Sequence, residues 1–181
     1  MNKYKISIIV AIFNNGKYLR DRCIESLKKS SMFNEMEILL IDDGSTDDET
    51  VDIVRDLGNK FENIRTYFFA RGGSGNAARP RNFGITLATC DYITYLDPDN
   101  EATNDGYYKL YNQLIDHDFD IVLGNYEIIS DQSRTVANYY GACSYNGFDC
   151  REITDTKSLV LKNNFNVDSI QALLEIGRAS C

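Results

Sequence analysis

Short β-branched runs alternate with longer stretches of helical period from residue 5 to about residue 125. The runs at 5–11, 37–42, 64–69, 92–96 and 121–124 read as strands, and near-continuous apolar runs of this length are what a parallel sheet covered on both faces requires. Between them, Leu19, Cys23, Ile24 and Leu27 make one apolar stripe, Val51, Ile53, Val54 and Leu57 a shorter one, and Tyr107, Leu110, Tyr111 and Leu114 a third. Each stripe is expected to face the sheet. The alternation predicts an α/β fold, Rossmann-like, with three α/β/α layers around a mostly parallel central sheet.

Local signals refine the picture. Ser45 or Thr46 is expected to cap the second helix, with Thr46 and Glu49 in capping-box spacing, and Pro80 suits a first helical turn. After Tyr126 the pattern weakens into a polar, Tyr- and Asn-rich stretch through about residue 153, and a further helix is expected from Thr154 or Asp155. Residues 175–181 break the preceding apolar run and read as a tail foreign to the gene, which leaves 1–174 as a single, C-terminally truncated domain.

Charge and cysteine usage narrow the function classes. A net charge of −8 argues against a nucleic-acid polymer as partner, because such binding draws on clustered Lys and Arg. It does not exclude a nucleotide, since a divalent cation can bridge carboxylates to a diphosphate. Five cysteines without CxxC spacing suggest neither a zinc site nor a disulfide framework, and a cytoplasmic location fits. The apolar run 6–13 is too short for a membrane span, so no integral membrane segment is expected in this chain.

In open α/β sheets, ligands bind outside the carboxyl ends of the strands. Four polar clusters fall there. Ala11-Ile12-Phe13-Asn14-Asn15 offers a ring for stacking and amides for a base edge, or simply a core and turn role. Asp42-Asp43-Gly44-Ser45 places two carboxylates side by side, to be compensated by a cation, a base N–H or a helix N-terminus; a solvated turn with an N-cap is the alternative. The loop Arg71-Gly72-Gly73-Ser74-Gly75-Asn76 leads to Arg79-Pro80-Arg81-Asn82, so that backbone N–H groups and arginines could hold a phosphate, although a flexible linker explains the glycines too. Finally, Asp97-Pro98-Asp99-Asn100 sets two carboxylates one residue apart, suited to Mg²⁺ or Mn²⁺, or to an acidic turn.

Together, SIIVAIFNN, EILLIDDGSTDDET, ARPRNFGI and YITYLDPDN, in that order and spacing, make the chain resemble the family 2 glycosyltransferases over about residues 4–125. The resemblance implies a GT-A fold binding a nucleoside-diphosphate sugar, with UDP as the default nucleotide. Phe13 would lie near the base with Ala11 and Asn15 in the same subsite, Asp43 on the base edge, Arg81 near the diphosphate and Asp97 by the ribose or metal. Asp99 would ligate Mn²⁺ or Mg²⁺. The Gly-rich loop and Arg-Pro-Arg-Asn also look like those of transferases that build bacterial surface polymers. A glycan, teichoic-acid or lipid-linked acceptor is therefore implied, with the chain in the cytoplasm or peripheral at the inner face of the membrane. The family commonly has Pro at Ala11, Tyr at Phe13 and Asp at Asn100, departures that leave both acids of the DxD motif in place.

Family members of this type are similar in transferring the sugar by in-line displacement with inversion, aided by a carboxylate base that follows the DxD motif. Asp168 and Glu175 are the only acids from Asn163 onward and neither matches it, so the base is expected beyond the chain end and sugar transfer by this chain is expected to be poor. His117, among Asp116, Asp118 and Asp120, suits a helix-end role. A non-catalytic nucleotide-binding module of a larger assembly protein is the competing reading. A phosphoacceptor receiver domain needs a partner Lys near the late strands, and none stands at the end of 121–124; a nucleotidyltransferase needs a Gly-rich signature after the first strand, where this chain has Phe13-Asn14-Asn15-Gly16.

Overall fold

Strand β1 (Ile6–Ile12) runs between two parallel neighbours, which explains its uninterrupted apolar sequence. The computed structural model describes residues 3–103, 105–117, 121–123, 126–130, 133–137 and 175–178. Strand β2 (Met36–Asp42) pairs with β1 from Ile6↔Met36 to Ile12↔Asp42, and β3 (Ile64–Phe68) pairs with β2 on its far side. On the other side of β1 lies β4 (Tyr92–Tyr95), in register Ser7↔Ile93. These four strands are parallel, as the pattern predicts, and each predicted strand end lies within one residue of its position here.

Side chains alternate across β1. Ile6, Ile8, Val10 and Ile12 enter the larger core, with Leu19, Cys23, Ile24 and Leu27 from the first helical segment and Ile53, Val54 and Leu57 from α3 (Asp48–Lys60). That first segment starts as α1 (Gly16–Tyr18), widens to π-helical geometry over Leu19–Ile24 and ends as α2 (Glu25–Leu27). Ile9 points the opposite way and joins Leu39 and Ile41 beneath α4 (Ala78–Leu87), together with Phe83 and Leu87. Helices thus cover both faces, and the fold is the three-layer α/β/α architecture. Removal from water of one such Ile or Leu side chain contributes about 1.5–3 kcal/mol. Helix α5 (Gly106–His117) adds Tyr107 and Leu114 to the larger core.

At the amino end of the sheet, Glu37 is buried on the α4 side. It accepts from the Ser7 hydroxyl at 2.5 Å, Arg65 at 2.7 Å, and the Thr89 N–H and hydroxyl at 2.8 and 3.0 Å. Burial pushes this carboxyl up, but the four donors outweigh it and hold it below the usual range.

One expectation needs correction. The N-cap of α3 is Asp47, whose carboxylate accepts from Thr50 N at 2.7 Å; Ser45 and Thr46 bond across to the β1 loop instead. The polar stretch after Tyr126 includes a hairpin of β6 (Tyr126–Ser130) and β7 (Ser133–Ala137). Residues Glu175–Arg178, set apart above as a tail, form β8, which pairs antiparallel with β4 and with β5 (Ile121–Leu123) and so lies within the six-stranded sheet. The helix expected from Thr154 or Asp155 and the acid Asp168 lie outside the described residues, as do Cys143, Cys150 and Cys181. Cys23 and Cys90 are free thiols, both buried.

Candidate functional site

The carboxyl ends of β1, β2 and β4 lie side by side and bring three of the four polar clusters together, with α4 delivering the arginines. The β1 loop turns at Asn14, which takes a left-handed φ of 52°, a conformation that Asn tolerates better than most side chains. The Asn14 carboxamide oxygen accepts from Thr46 N at 2.8 Å and Asp47 N at 3.2 Å, and its amide donates to the Thr46 hydroxyl at 2.9 Å. Asn14 therefore ties the β1 loop to the entry of α3 and is occupied by protein. Asn15 Oδ1 accepts from Phe13 N at 3.2 Å, which folds this part of the turn upon itself.

The paired carboxylates after β2 separate in role. Asp42, 2% exposed, accepts from Ser45 N at 3.1 Å and from the Ser45 hydroxyl, which in turn accepts from Asn14 N at 2.9 Å. This chain of bonds is structural: it locks the β1 and β2 loops together. Asp43, 3% exposed, turns instead toward the glycine loop and α4. One of its oxygens accepts from both the N–H and the hydroxyl of Ser74 at 2.7 Å, and the other from Arg79 Nε at 2.7 Å. Burial raises this carboxyl, and the Ser74 and Arg79 donors overcome that effect and hold it below its ordinary value.

The glycine loop is anchored more firmly than a linker. Gly44, at φ 85°, would place a β-carbon 2.0 Å from the Ala70 carbonyl oxygen, so the chain passes there only as glycine. Gly72 N donates to Gly44 O at 2.9 Å, and Arg71 pairs with Asp48. The ring edge of Phe13 lies against Gly73, where a β-carbon would come within 2.7 Å of it, while Phe13 remains 42% exposed. An aromatic face on the strand-end surface is thus held in place by a residue without a side chain.

Arg81, in the first turn of α4 just after Pro80, donates to Asp97 Oδ1 at 2.6 Å. The turn that carries Asp97 closes through Asn100 N to Asp97 O at 3.0 Å and leaves Asp99 exposed. Among the described residues the Asp99 carboxylate accepts no hydrogen bond, and no three His, Cys, Asp or Glu side chains cluster as a ready metal centre. The donor set still fits a hard cation, which accepts carboxylate oxygen and completes its sphere with water and phosphate oxygens. Ala11, partly buried near the end of β1, pairs with Ile41 across the sheet, one residue before Asp42.

Sequence reasoning placed Ser45, Ser74 and Arg79 in clusters at the strand ends but gave none of them the carboxylate partner it has here. Both arginines of the Arg-Pro-Arg motif hold carboxylates here, and the Ser74 N–H of the glycine loop serves an internal anion. The signal available was the pairing of one buried acid, Asp43, and one half-buried acid, Asp97, with two arginines separated by a single residue, which only the register of β2 and β4 against α4 resolves.

The fold is that of the GT-A glycosyltransferases, and comparison with known proteins identifies the family. The family model for glycosyl transferase family 2 matches residues 7–171; the chain belongs to that family. Glycosyltransferase GlyG of Streptococcus pneumoniae serotype 4 is 37% identical over 123 residues, which are 67% of this chain and 38% of GlyG. The poly(ribitol-phosphate) β-N-acetylglucosaminyltransferase TarP of Staphylococcus aureus is 29% identical over 125 residues, 68% of this chain and 37% of TarP. The crystal structure of S. aureus TarS residues 1–349 in complex with UDP-GlcNAc superposes with a TM-score of 0.59 at 28% identity, covering 66% of this chain and 33% of that one. The chain thus spans well under half the length of these relatives. Among the described residues no helix is long and apolar enough to cross a membrane.

Proposed function

We propose that this domain binds a nucleoside-diphosphate sugar, UDP-linked by preference, across the carboxyl ends of β1, β2 and β4, and supports its inverting transfer to a glycan or bacterial surface-polymer acceptor such as a teichoic acid. The observation that carries the proposal is the convergence at one edge of an exposed aromatic face at Phe13, a buried ionised Asp43, the Arg81–Asp97 pair and the open carboxylate of Asp99. The complexes of TarS with UDP-GlcNAc and with UDP support the choice of nucleotide, and the likeness to TarP supports the polymer acceptor.

In this reading Phe13 stacks on the base with Ala11 and Asn15 beside it, Asp43 accepts from the base edge, and Arg81 contributes positive charge toward the diphosphate while orienting Asp97. Asp99, with Asp97 beside it, would hold Mg²⁺ or Mn²⁺, an ion that when bound stabilises the charge developing on a leaving diphosphate. The protein's own contribution is orientation, since positioning the donor removes rotational freedom that a reaction in water retains. The acceptor's proton goes to a carboxylate that we assign to none of the described residues. Residues 1–174 act as one glycosyltransferase domain, and the two free, buried thiols fit a cytoplasmic setting, with the acceptor reached at the inner face of the membrane.

Thermal unfolding of the chain with Mn²⁺ and a panel of nucleotide sugars tests this. A ligand at a hundred times its dissociation constant stabilises the folded state by about 2.7 kcal/mol, which raises Tm by roughly 5–10 °C for a domain of this size. A shift with UDP-sugars that exceeds the shift with other nucleotide sugars is the expected result. No shift with any donor would remove the proposal.

A further inference from the structure

Arg79 and Arg81 both sit in the first turn of α4, yet they reach different strand ends. Two residues along an α-helix are separated by about 200°, so Arg79 extends to the end of β2 and Arg81 to the loop after β4. Arg79 Nε donates to Asp43 Oδ1 at 2.7 Å, and its Nη2 donates to the carbonyl oxygen of the same Asp43 at 3.1 Å. One guanidinium thereby grips the side chain and the main chain of a single residue. It is itself held by the Phe69 ring, 4.4 Å from the guanidinium carbon, and Phe69 packs edge-on against Phe83 with centroids 5.2 Å apart. Ser74 occupies the other carboxylate oxygen from the opposite side.

We propose that Arg79 is a specificity-determining positioning residue of the nucleoside subsite: it fixes Asp43 as a hydrogen-bond acceptor, so that the site takes a base with a ring N–H at its pairing edge and refuses one with a bare ring nitrogen there. The inference rests on the donor-binding reading above and gives a physical cause for its preference for uracil over cytosine. Uracil presents N3–H to such a carboxylate, whereas cytosine presents the N3 lone pair. With Asp43 only 3% exposed, a cytosine there leaves two acceptors facing each other without water to relieve them. A carboxyl free to rotate or to take up a proton could donate to cytosine and accept it. The two-point grip of Arg79 opposes rotation, and its positive charge opposes protonation. Arg79 acts through Asp43 rather than on the base.

The test is calorimetric titration of UDP and CDP, with Mn²⁺ present, into the whole chain and its Arg79→Gln and Arg79→Lys variants. Ribose, diphosphate and metal are common to both nucleotides, so the ratio of their affinities isolates the base. The wild-type chain is expected to favour UDP by at least about tenfold, the size of discrimination that an unpaired buried acceptor produces. In Arg79→Gln the ratio should move toward one, and in Arg79→Lys, which keeps the charge but loses the fork, it should lie between. An unchanged ratio in Arg79→Gln overturns the inference and leaves donor binding intact. Wild-type binding of neither nucleotide overturns the donor-binding reading and this inference with it. If Arg79→Gln shows no cooperative thermal transition, the Arg79→Lys ratio decides: a value below wild type supports the inference and an equal value overturns it.

Discussion

Arg81 and Asp97 join α4 to the loop after β4 through a 2.6 Å ion pair that is partly shielded from solvent, with side-chain exposures of 18% and 31%. The Tyr95 ring lies 5.4 Å from the Arg81 guanidinium carbon and supports it from the strand. The pair ties the helix that carries both arginines to the turn that carries Asp99. Its two members therefore cannot be judged separately as phosphate grip and metal ligand.

A double-mutant cycle on Arg81→Ala and Asp97→Ala should give a coupling of about 1 kcal/mol in urea unfolding, the upper range for a partly exposed pair. Either single variant should weaken UDP binding at least tenfold, roughly 1.4 kcal/mol. Strict additivity in unfolding would show that the pair does not couple the two elements.

Acid stability should depend on Glu37. Its folded-state carboxyl is held below its ordinary value, so its stabilising contribution is complete above the unfolded pKa of about 4.3 and is lost as pH falls from there through the folded value. Stability measured by urea unfolding between pH 6 and pH 3, a range of about 3 units around that unfolded value, should fall less steeply in Glu37→Gln than in the wild type. Asp43 and Asp105 shift in the same direction and will leave a residual slope. Identical slopes in the two proteins would contradict the buried network described here.

The two ends of the glycine loop should respond differently to alanine. At Gly44 a β-carbon meets the Ala70 carbonyl oxygen, whereas at Gly72, φ 122°, it meets nothing within 4 Å. Gly72→Ala should cost only the backbone strain of a positive φ, about 1–2 kcal/mol. Gly44→Ala should cost at least about 3 kcal/mol, because main chain must move as well. Equal losses in chemical unfolding would mean that the close approach at Gly44 does not exist.

The sheet was readable because period-two and period-3.6 patterns survive in strands and helices buried on defined faces; the stripe Leu19, Cys23, Ile24, Leu27 enters the core as expected. The cap of α3 was misread because Ser45, Thr46 and Asp47 are all competent caps, and only the distant Asn14, together with the nearby Asp42, decides which two are occupied elsewhere. The strand Glu175–Arg178 has too few residues to show a period, and its partners lie far away in sequence. At the site, the residue types around Asp43, Arg81 and Asp99 were legible as clusters. The division of labour between Asp42 and Asp43 was not, since adjacent residues on a strand point to opposite sides and sequence alone gives no register against the glycine loop. The pairing of Arg79 with Asp43 was hidden for the same reason.

The central claim is that Asp99, open at the strand-end edge, holds the metal through which this surface binds a nucleoside diphosphate. Calorimetric titration of UDP with and without Mn²⁺, on the wild-type chain and on Asp99→Ala, tests it most directly. Wild-type binding that strengthens with Mn²⁺, and that loses the metal-dependent increment in Asp99→Ala, is the predicted result. Mn²⁺-dependent binding of equal strength in both proteins would contradict the claim.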